Sequence, residues 1–314
     1  MILCNYYVTL RCNSRCKFCD IWQERAEPDF PAQTIAEVES NLVDLKKLGI
    51  KIVDFTGGEP LLYPYLREAL VLAKRMGFYT TVTTNCILYP EQAEELKGLI
   101  NVLYFSLHSP EEGAHNDITG VKSYQKVIAS INLAKKIRQK IYLLHTVTNE
   151  NVDALPMMID FARQNRCVLS INPCFSYFGN EGLACNLAER LIKYRNEPNV
   201  MLNLALLKFI SEGGNKIEQS ICQAVKNIVV ISPDNSLLLP CYHFAAQKLK
   251  IENNLYALQK SPLVQEVAHE VGRYKFCQGC KINCYMRASL FKKYPYLFLV
   301  TWLKNFREFL RAQF

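Results

Sequence analysis

The sequence predicts an α/β fold, namely a partial (βα)6 TIM-like barrel followed by a small C-terminal domain that contains a β-hairpin. Between residues 5 and 175, short runs rich in β-branched and aromatic residues alternate six times with amphipathic helical patterns. This alternation is typical of a parallel sheet covered by helices. Since a closed barrel of this kind has about eight units, we expect an open barrel with its site at the carboxyl ends of the strands.

The individual elements follow from the periodicity of apolar residues. The β-rich runs lie at 5–10, 51–56, 78–84, 101–107, 140–147 and 168–173. Between them, apolar residues recur every three or four positions, which predicts amphipathic helices. These helical stretches lie at 34–49, 65–77, 90–98, 123–139 and 151–165. A proline inside the last stretch, Pro156, predicts a kink there.

The pattern changes after about residue 180. Helical segments at 187–196 and 201–212 lead to residues 225–241, where two apolar runs flank a Pro-Asp-Asn turn and predict a hairpin. Another helix is predicted at 262–274. We therefore divide the chain into a core (1–215), an auxiliary domain (216–290) and an amphipathic C-terminal helix (291–314).

The C-terminal helix has a marked apolar face. Five apolar residues share it: Leu299, Trp302, Leu303, Phe306 and Leu310. Such a face favours packing against the barrel or a partner protein, and peripheral contact with a membrane surface is the alternative. The formal net charge of +8 is explained by a solvated surface, with an acidic partner as the second interpretation. Nucleic acid is not expected as a partner.

The cysteine content indicates metal binding. The chain has 13 cysteines and no secretory signal or run of about 20 apolar residues, so we expect a cytoplasmic protein. Cysteines in a reducing compartment rarely form disulfides. They group near both ends of the chain, which favours metal sites over small buried side chains.

The first group, Cys12, Cys16 and Cys19, directly follows the first predicted strand. Structural zinc sites take four protein ligands, whereas three thiolates suit an iron–sulfur cluster with one iron open to an exogenous ligand. A zinc site or a chance grouping stays open at this point. The spacing resembles the Cys-x3-Cys-x-aromatic-Cys signature of the radical S-adenosylmethionine (radical SAM) superfamily, with Phe18 at the aromatic position. The resemblance implies a [4Fe–4S] cluster whose open iron binds SAM.

Further matches to that superfamily follow the next three strands. Gly57, Gly58 and Glu59 match its Gly-Gly-Glu-Pro motif, which holds the SAM amino group. The resemblance also implies that Asn85, in a Thr-Asn-Cys triplet where the family often has Thr-Asn-Gly, and Ser106 contact the cofactor. Two residues after Ser106, His108 occupies the position at which the family has an acidic residue. A contact with the cofactor and a structural role as a hydrogen-bonded histidine are both compatible with this position.

The second group of cysteines, Cys222, Cys241, Cys277 and Cys280, flanks the predicted hairpin and ends in a Cys-x2-Cys turn. A zinc ribbon would use the same ligand type and similar spacing. The group resembles the Twitch domain, the shorter relative of the SPASM domain, and this implies a second, auxiliary [4Fe–4S] cluster. Cys284 follows closely, so whether it is also a ligand is open.

The resemblance implies a radical SAM enzyme that abstracts hydrogen from a peptide or a small molecule, in an oxidation, a cross-linking or a related modification. It also implies a reductant such as flavodoxin or ferredoxin. Since the first predicted strand begins near residue 5, we do not expect a leader-binding module before it, and a peptide substrate would then be presented by a separate substrate-carrier chain. Two alternatives are a non-catalytic iron–sulfur electron carrier, and modification of a lipid or tetrapyrrole precursor at a membrane surface.

Overall fold

The computed structural model of the protein describes residues 2–23, 32–176 and 181–311. Residue 1 of the predicted core and residues 312–314 of the predicted C-terminal helix therefore lie outside the described residues.

The sheet of the core is built from the six predicted strands. They are β1 (Leu3–Thr9), β2 (Ile52–Gly57), β3 (Tyr79–Thr84), β4 (Val102–Ser106), β5 (Ile141–Val147) and β6 (Val168–Pro173). Each strand pairs in parallel with the next along the chain. The predicted partial barrel is confirmed, and all six strands end at the same rim of the sheet.

Helices connect these strands. They are α1 (Ile35–Lys47), α2 (Leu66–Arg75), α3 (Tyr89–Leu96), α4 (Glu112–Thr119), α5 (Tyr124–Lys136) and α6 (Leu155–Gln164). Thr34 and Glu37 form a capping box at the start of α1, which satisfies backbone N–H groups that have no partner within the helix. The predicted kink at Pro156 is wrong. A short 3-10 turn precedes α6, and Pro156 lies in its first turn, where a helix does not need the missing N–H.

The C-terminal third adds seven helices and four strands among the described residues. They are α7 (Cys185–Leu191), β7 (Val200–Met201), α8 (Leu204–Ser211), α9 (Ala224–Asn227), β8 (Ile228–Ser232), β9 (Ser236–Leu239), β10 (Gln247–Lys250), α10 (Leu255–Lys260), α11 (Pro262–Glu270), α12 (Asn283–Lys293) and α13 (Pro295–Arg311). Short 3-10 helices lie at Pro60–Leu62, Val152–Ala154, Ile192–Asn196, Ile217–Gln219 and Lys275–Cys277.

The predicted hairpin forms from β8 and β9, which pair antiparallel. Strand β8 also pairs in parallel with β1, so the hairpin extends the sheet of the core to the order β10-β9-β8-β1-β2-β3-β4-β5-β6-β7. The region 291–314 contains the end of α12 and a separate helix, α13, because Pro295 cannot continue the preceding helix. The domain bounds at 215 and 290 stay a prediction.

Most buried apolar residues form one cluster between the sheet and its helices. A smaller cluster lies at the amino-terminal ends of the strands, where Val102, Tyr142 and Val168 pack with Phe309 of α13. Helix α13 thus covers the end of the barrel opposite to the rim at which the strands finish. Within the described residues, none of the helices is long and apolar enough to cross a membrane.

Candidate cofactor site

The three N-terminal cysteines lie on the loop that leaves β1, residues 10–23, which we call the cluster loop. Two backbone hydrogen bonds attach it to the end of α4: the amides of Arg15 and Lys17 donate to the carbonyls of Thr119 (2.9 Å) and Ile118 (3.0 Å). Gly120 follows with φ of +67°, and a Cβ there would lie 2.8 Å from Arg15 O. A residue with a side chain would therefore push the cluster loop away.

The thiols of this loop affect one another. Burial raises the pKa of Cys16, and the nearby Cys19 and Cys12 raise it further because thiolates repel. Bound cationic metal would reverse this effect and stabilise the thiolates. All 13 cysteines are free thiols, so the donors suit the group that the sequence predicts.

The three thiols of the cluster loop do not converge on the position of a single metal ion. In the chain outside 1, 24–31, 177–180 and 312–314, no three Cys, His, Asp or Glu side chains converge on the position of one metal ion. The thiolates of a [4Fe–4S] cluster each bind a different iron, so a cluster asks for a wider arrangement than a single ion does.

Gly57 and Gly58 bring the end of β2 against the start of the cluster loop. The amide of Gly58 donates to Thr9 O and that of Glu59 to Arg11 O, both at 2.8 Å. Gly57 has φ of +138°, and a Cβ on it would overlap Thr9 O. A Cβ on Gly58 would lie 2.6 Å from Leu10 O and overlap Arg11 O. Only glycine permits this approach without displacing the backbone that leads to Cys12.

Glu59 links the β2 end to the β3 end. Its carboxylate accepts hydrogen bonds from Thr84 Oγ1 (2.8 Å), the Asn85 amide (2.7 Å) and the Leu61 amide (3.1 Å). The side chain is buried, and burial raises its pKa to about 7 against the lowering effect of these donors. A buried carboxylate with this pKa is stabilised by a cationic group such as an ammonium.

Asn85 connects β3 to the cluster loop. Its side-chain amide donates to Asn13 Oδ1 (2.7 Å) and Ser14 Oγ (3.0 Å), and it lies 3.8 Å from Cys12 Sγ. The next residue, Cys86, is buried and has φ of +69°. The backbone shape that favours glycine is therefore present here although the residue is cysteine.

Strand β4 contributes Ser106 at its last position and then His108. The ring of His108 packs edge-on against Phe18 of the cluster loop at 4.9 Å between centroids, and its Nδ1 accepts from the Thr146 amide at 3.4 Å. Burial lowers its pKa well below the usual value, with smaller contributions from His145 and His115. His108 is therefore a neutral ring supporting the loop, where the family pattern has an acid.

Two further histidines were missed by the sequence analysis. His115 Nδ1 accepts from the His108 amide at 3.3 Å, and His145 Nδ1 lies 3.2 Å from Leu107 O. Burial lowers the pKa of each to about 4. A histidine inside the apolar run 140–147 was the available signal for His145. For His115 there was none, because helix α4 was not predicted from the sequence.

The four C-terminal cysteines come together. Cys222, Cys241, Cys277 and Cys280 line one pocket between α9, the hairpin end and the 3-10 turn at 275–277. Burial, with smaller contributions from Cys280 and Cys277, raises the pKa of Cys222 to about 12. Cys284 is exposed and is absent from the lining residues that the structure describes.

Glycine is required beside this pocket too. Gly272 has φ of +81°, and its added Cβ would lie 2.5 Å from Cys222 Cβ. Aromatic contacts connect the pocket to the core, because the Tyr242 ring stacks on Tyr7 of β1 at 4.0 Å. The Tyr242 amide donates to Tyr285 Oη at 3.1 Å. The residue that follows Cys241 is thus packed directly against the strand that carries the cluster loop.

Comparison with known families decides the superfamily. The sequence profile of the Radical SAM superfamily matches residues 6–162. This chain belongs to the radical SAM superfamily. Membership implies a [4Fe–4S] cluster and SAM, in agreement with the donors of the cluster loop.

Three relatives show how far the similarity extends. A probable GTP 3′,8-cyclase of Thermoplasma volcanium is 32% identical over 168 residues, which is 51% of this chain and 50% of the relative. A PqqA peptide cyclase of Gluconobacter oxydans is 29% identical over 163 residues, 50% of this chain and 44% of that one. The match spans about half the length of these curated relatives. The structure of polyhistidine-tagged anSMEcpe with bound AdoMet covers 99% of this chain and 98% of its own, at a TM-score of 0.70 and 16% identity, which shows a shared fold.

Proposed function

We propose that this radical SAM protein cleaves SAM reductively and abstracts a hydrogen atom from a peptide or small-molecule substrate. The observation that carries the proposal is the attachment of the cluster loop to the ends of β2, β3 and α4, next to the Gly-Gly-Glu segment. When bound and reduced, the cluster supplies the electron that cleaves SAM to methionine and a 5′-deoxyadenosyl radical. An electron carrier without SAM has no use for that segment, which disfavours the carrier alternative.

In this proposal Cys12, Cys16 and Cys19 hold the cluster. Gly57 and Gly58 hold the end of β2 against the backbone that leads to Cys12, and Glu59 would offer a carboxylate to the SAM ammonium. Asn85 fixes the cluster loop through its contacts with Asn13 and Ser14. Ser106 and Phe18 border the same site from β4 and from the cluster loop.

We further propose that Cys222, Cys241, Cys277 and Cys280 hold an auxiliary [4Fe–4S] cluster. Four thiolates would be enough for all four irons, so these residues would leave no iron open to substrate, and the chemistry that the cluster would supply is electron transfer. Abstraction of one hydrogen atom leaves a substrate radical. Loss of one further electron to the auxiliary cluster and of one proton to solvent would give an oxidised or cross-linked product.

The substrate class stays at the level of a peptide or small molecule. The two curated relatives are named for a nucleotide, GTP, and for a peptide, PqqA. A flavodoxin or ferredoxin would supply the electron, and a separate carrier chain could present a peptide. Modification of a lipid or tetrapyrrole precursor remains the alternative.

Metal content tests the two ligand sets separately. We expect about eight irons and eight sulfides per chain after anaerobic reconstitution, and about four in either of two variants. These variants are Cys12→Ala/Cys16→Ala/Cys19→Ala and Cys222→Ala/Cys241→Ala/Cys277→Ala/Cys280→Ala. The matched control, Cys284→Ala, should keep all eight. Zinc in place of iron at the C-terminal set, or iron loss in Cys284→Ala, would contradict the assignment of the auxiliary ligands.

A further inference from the structure

Helix α13 presents an apolar face to solvent. Six large side chains on this face are between 47% and 75% exposed: Tyr296, Leu299, Trp302, Leu303, Phe306 and Leu310. The opposite face carries polar residues that bind the fold. Thr301 Oγ1 accepts from the Leu204 amide (3.1 Å), and Glu308 accepts from the Asn199 amide (3.0 Å). Helix α13 therefore leaves a large apolar face in solvent although its other face is already packed on the fold, and an exposed apolar patch of this kind marks an interaction surface.

A cationic cavity borders this apolar face. It has a volume of about 430 Å³ and lies between α13 and residues 195–204. Arg195, Lys304 and Arg307 line it, together with Leu303 of the exposed face. The Lys304 ammonium nitrogen is buried and has no hydrogen-bond partner within the described residues. The cavity thus offers positive charge that the protein itself does not fully pair.

The carboxylates near the cavity are already engaged. Glu197 lies 3.2 Å from Arg163. Glu308 is buried, accepts from a backbone amide, and lies 3.5 Å from Arg307. Residues 286–314 contain six lysines or arginines and only this one acid. The surface of α13 is therefore apolar along its exposed face, with the basic residues Lys304 and Arg307 along one edge.

We propose that α13 docks on the surface of an anionic phospholipid bilayer, with the apolar face in the interfacial region and a lipid phosphate in the cationic cavity. Charge complementarity selects this occupant, because a second copy of this chain would bring the same positive edge against itself. An apolar face flanked by lysine and arginine is typical of helices that lie in the membrane interface. The Trp302 ring suits the same depth, since tryptophan concentrates at membrane–water interfaces.

The contact lies at the end of the barrel opposite to the cofactor site. Phe309 of α13 packs on residues at the amino-terminal ends of the strands, whereas the cluster loop leaves the carboxyl end of β1. The bilayer would therefore anchor the enzyme without entering its substrate mouth. The proposal does not depend on the identity of the substrate.

Vesicle binding tests the proposal. The full chain, purified anaerobically, is sedimented with vesicles of phosphatidylcholine containing phosphatidylglycerol, and with phosphatidylcholine vesicles alone. We expect binding to the anionic vesicles that weakens with salt. Lys304→Gln/Arg307→Gln should bind about thirtyfold more weakly, since each basic residue near an anionic surface contributes roughly a factor of five.

Variants of the apolar face complete the test. Leu303→Glu/Phe306→Glu should abolish binding, whereas the control Leu263→Glu, at an exposed apolar residue of α11, should bind normally. Because the chain has only two tryptophans, a Trp22→Phe background assigns any blue shift of fluorescence on binding to Trp302. Unchanged far-ultraviolet circular dichroism checks that the variants fold.

Three results would overturn the proposal. The first is an absence of wild-type binding to anionic vesicles. The second is a dimer in light scattering that Leu303→Glu/Phe306→Glu dissociates, which would assign the face to a second copy. The third is saturable binding of soluble glycerol phosphate that requires Lys304 and Arg307, blocks vesicle binding and leaves the fluorescence of Trp302 unshifted. This result would assign the cavity to a soluble phosphate ligand.

Discussion

Replacing the glycines at the end of β2 by alanine should destabilise the fold through two separable effects, which are backbone strain at a positive φ and overlap of the added Cβ with neighbouring backbone. Gly57→Ala combines a strained positive φ with overlap of Thr9 O, and Gly58→Ala produces overlap alone. A residue held in a sparsely populated backbone region costs about 1–3 kcal/mol, and an atom forced into a packed site about 1–3 kcal/mol. We therefore expect losses of about 4 kcal/mol for Gly57→Ala and about 2 kcal/mol for Gly58→Ala.

Two other glycines supply matched controls. Gly98 has φ of +79° with nothing within 4 Å of an added Cβ, and Gly113 has open space without positive φ. Gly98→Ala should cost about 1 kcal/mol from strain alone, and Gly113→Ala, inside α4, should be neutral or stabilising by up to about 1 kcal/mol.

Anaerobic urea unfolding followed by circular dichroism measures these four free energies of unfolding. Iron content, measured in parallel, should fall for Gly57→Ala and Gly58→Ala because the displaced backbone leads directly to Cys12. If Gly57→Ala and Gly58→Ala lose no more free energy of unfolding than Gly98→Ala, the close approach of β2 to the cluster loop does not stabilise the fold. That result would refute the role assigned to Gly57 and Gly58.

Two further predictions concern the β2 and β3 ends. The raised pKa of Glu59, about 7 against an ordinary value of 4.5, means that the folded state binds its proton more tightly. In SAM-free protein, the contribution of Glu59 to stability should be greatest below about pH 4.5 and fall by up to about 3 kcal/mol as the pH rises through 7. The difference in urea midpoint between the wild type and Glu59→Gln should show this pH dependence, and a difference that does not change with pH would contradict it. At Cys86, glycine would relieve the strain of the positive φ and lose the Cβ contacts, so the free energies of unfolding of Cys86→Gly and Cys86→Ala should agree within about 0.5 kcal/mol. The control Ala134→Gly, at a buried position of helix α5, should lose about 1 kcal/mol or more. If Cys86→Gly is less stable than Cys86→Ala by that same amount, the backbone at Cys86 is not strained.

The core strands could be predicted because their β-branched and aromatic runs are long and bounded by helical patterns. Helix α4 could not, since its sequence is polar and it buries only His115 and Thr119. Its role in holding the cluster loop depends on backbone contacts over about 100 residues of sequence, which no local pattern encodes. Local signals also predicted the hairpin but not its pairing with β1, because register between distant strands is a tertiary property.

In the candidate site, too, local features could be predicted from the sequence and tertiary ones could not. Spacing pointed to the cysteines of the cluster loop and to the Cys-x2-Cys turn, because ligands on one loop or turn must be close in sequence, and their role as ligands stays a prediction. Spacing alone could not choose among Cys277, Cys280 and Cys284; the structure separates them, since only the first two line the pocket with Cys222. The substitution of Cys86 for the family glycine was visible in the sequence, but its retained positive φ was visible only in the structure.

Formation of 5′-deoxyadenosine tests the central claim most directly. The anaerobically reconstituted protein is mixed with SAM and dithionite, and 5′-deoxyadenosine and methionine are quantified by liquid chromatography. The account predicts both products from the wild-type protein and from the Cys222→Ala/Cys241→Ala/Cys277→Ala/Cys280→Ala variant, and none from Cys12→Ala/Cys16→Ala/Cys19→Ala. Cleavage that persists in the N-terminal triple variant, or its absence from wild-type protein with a full complement of iron, would contradict the account.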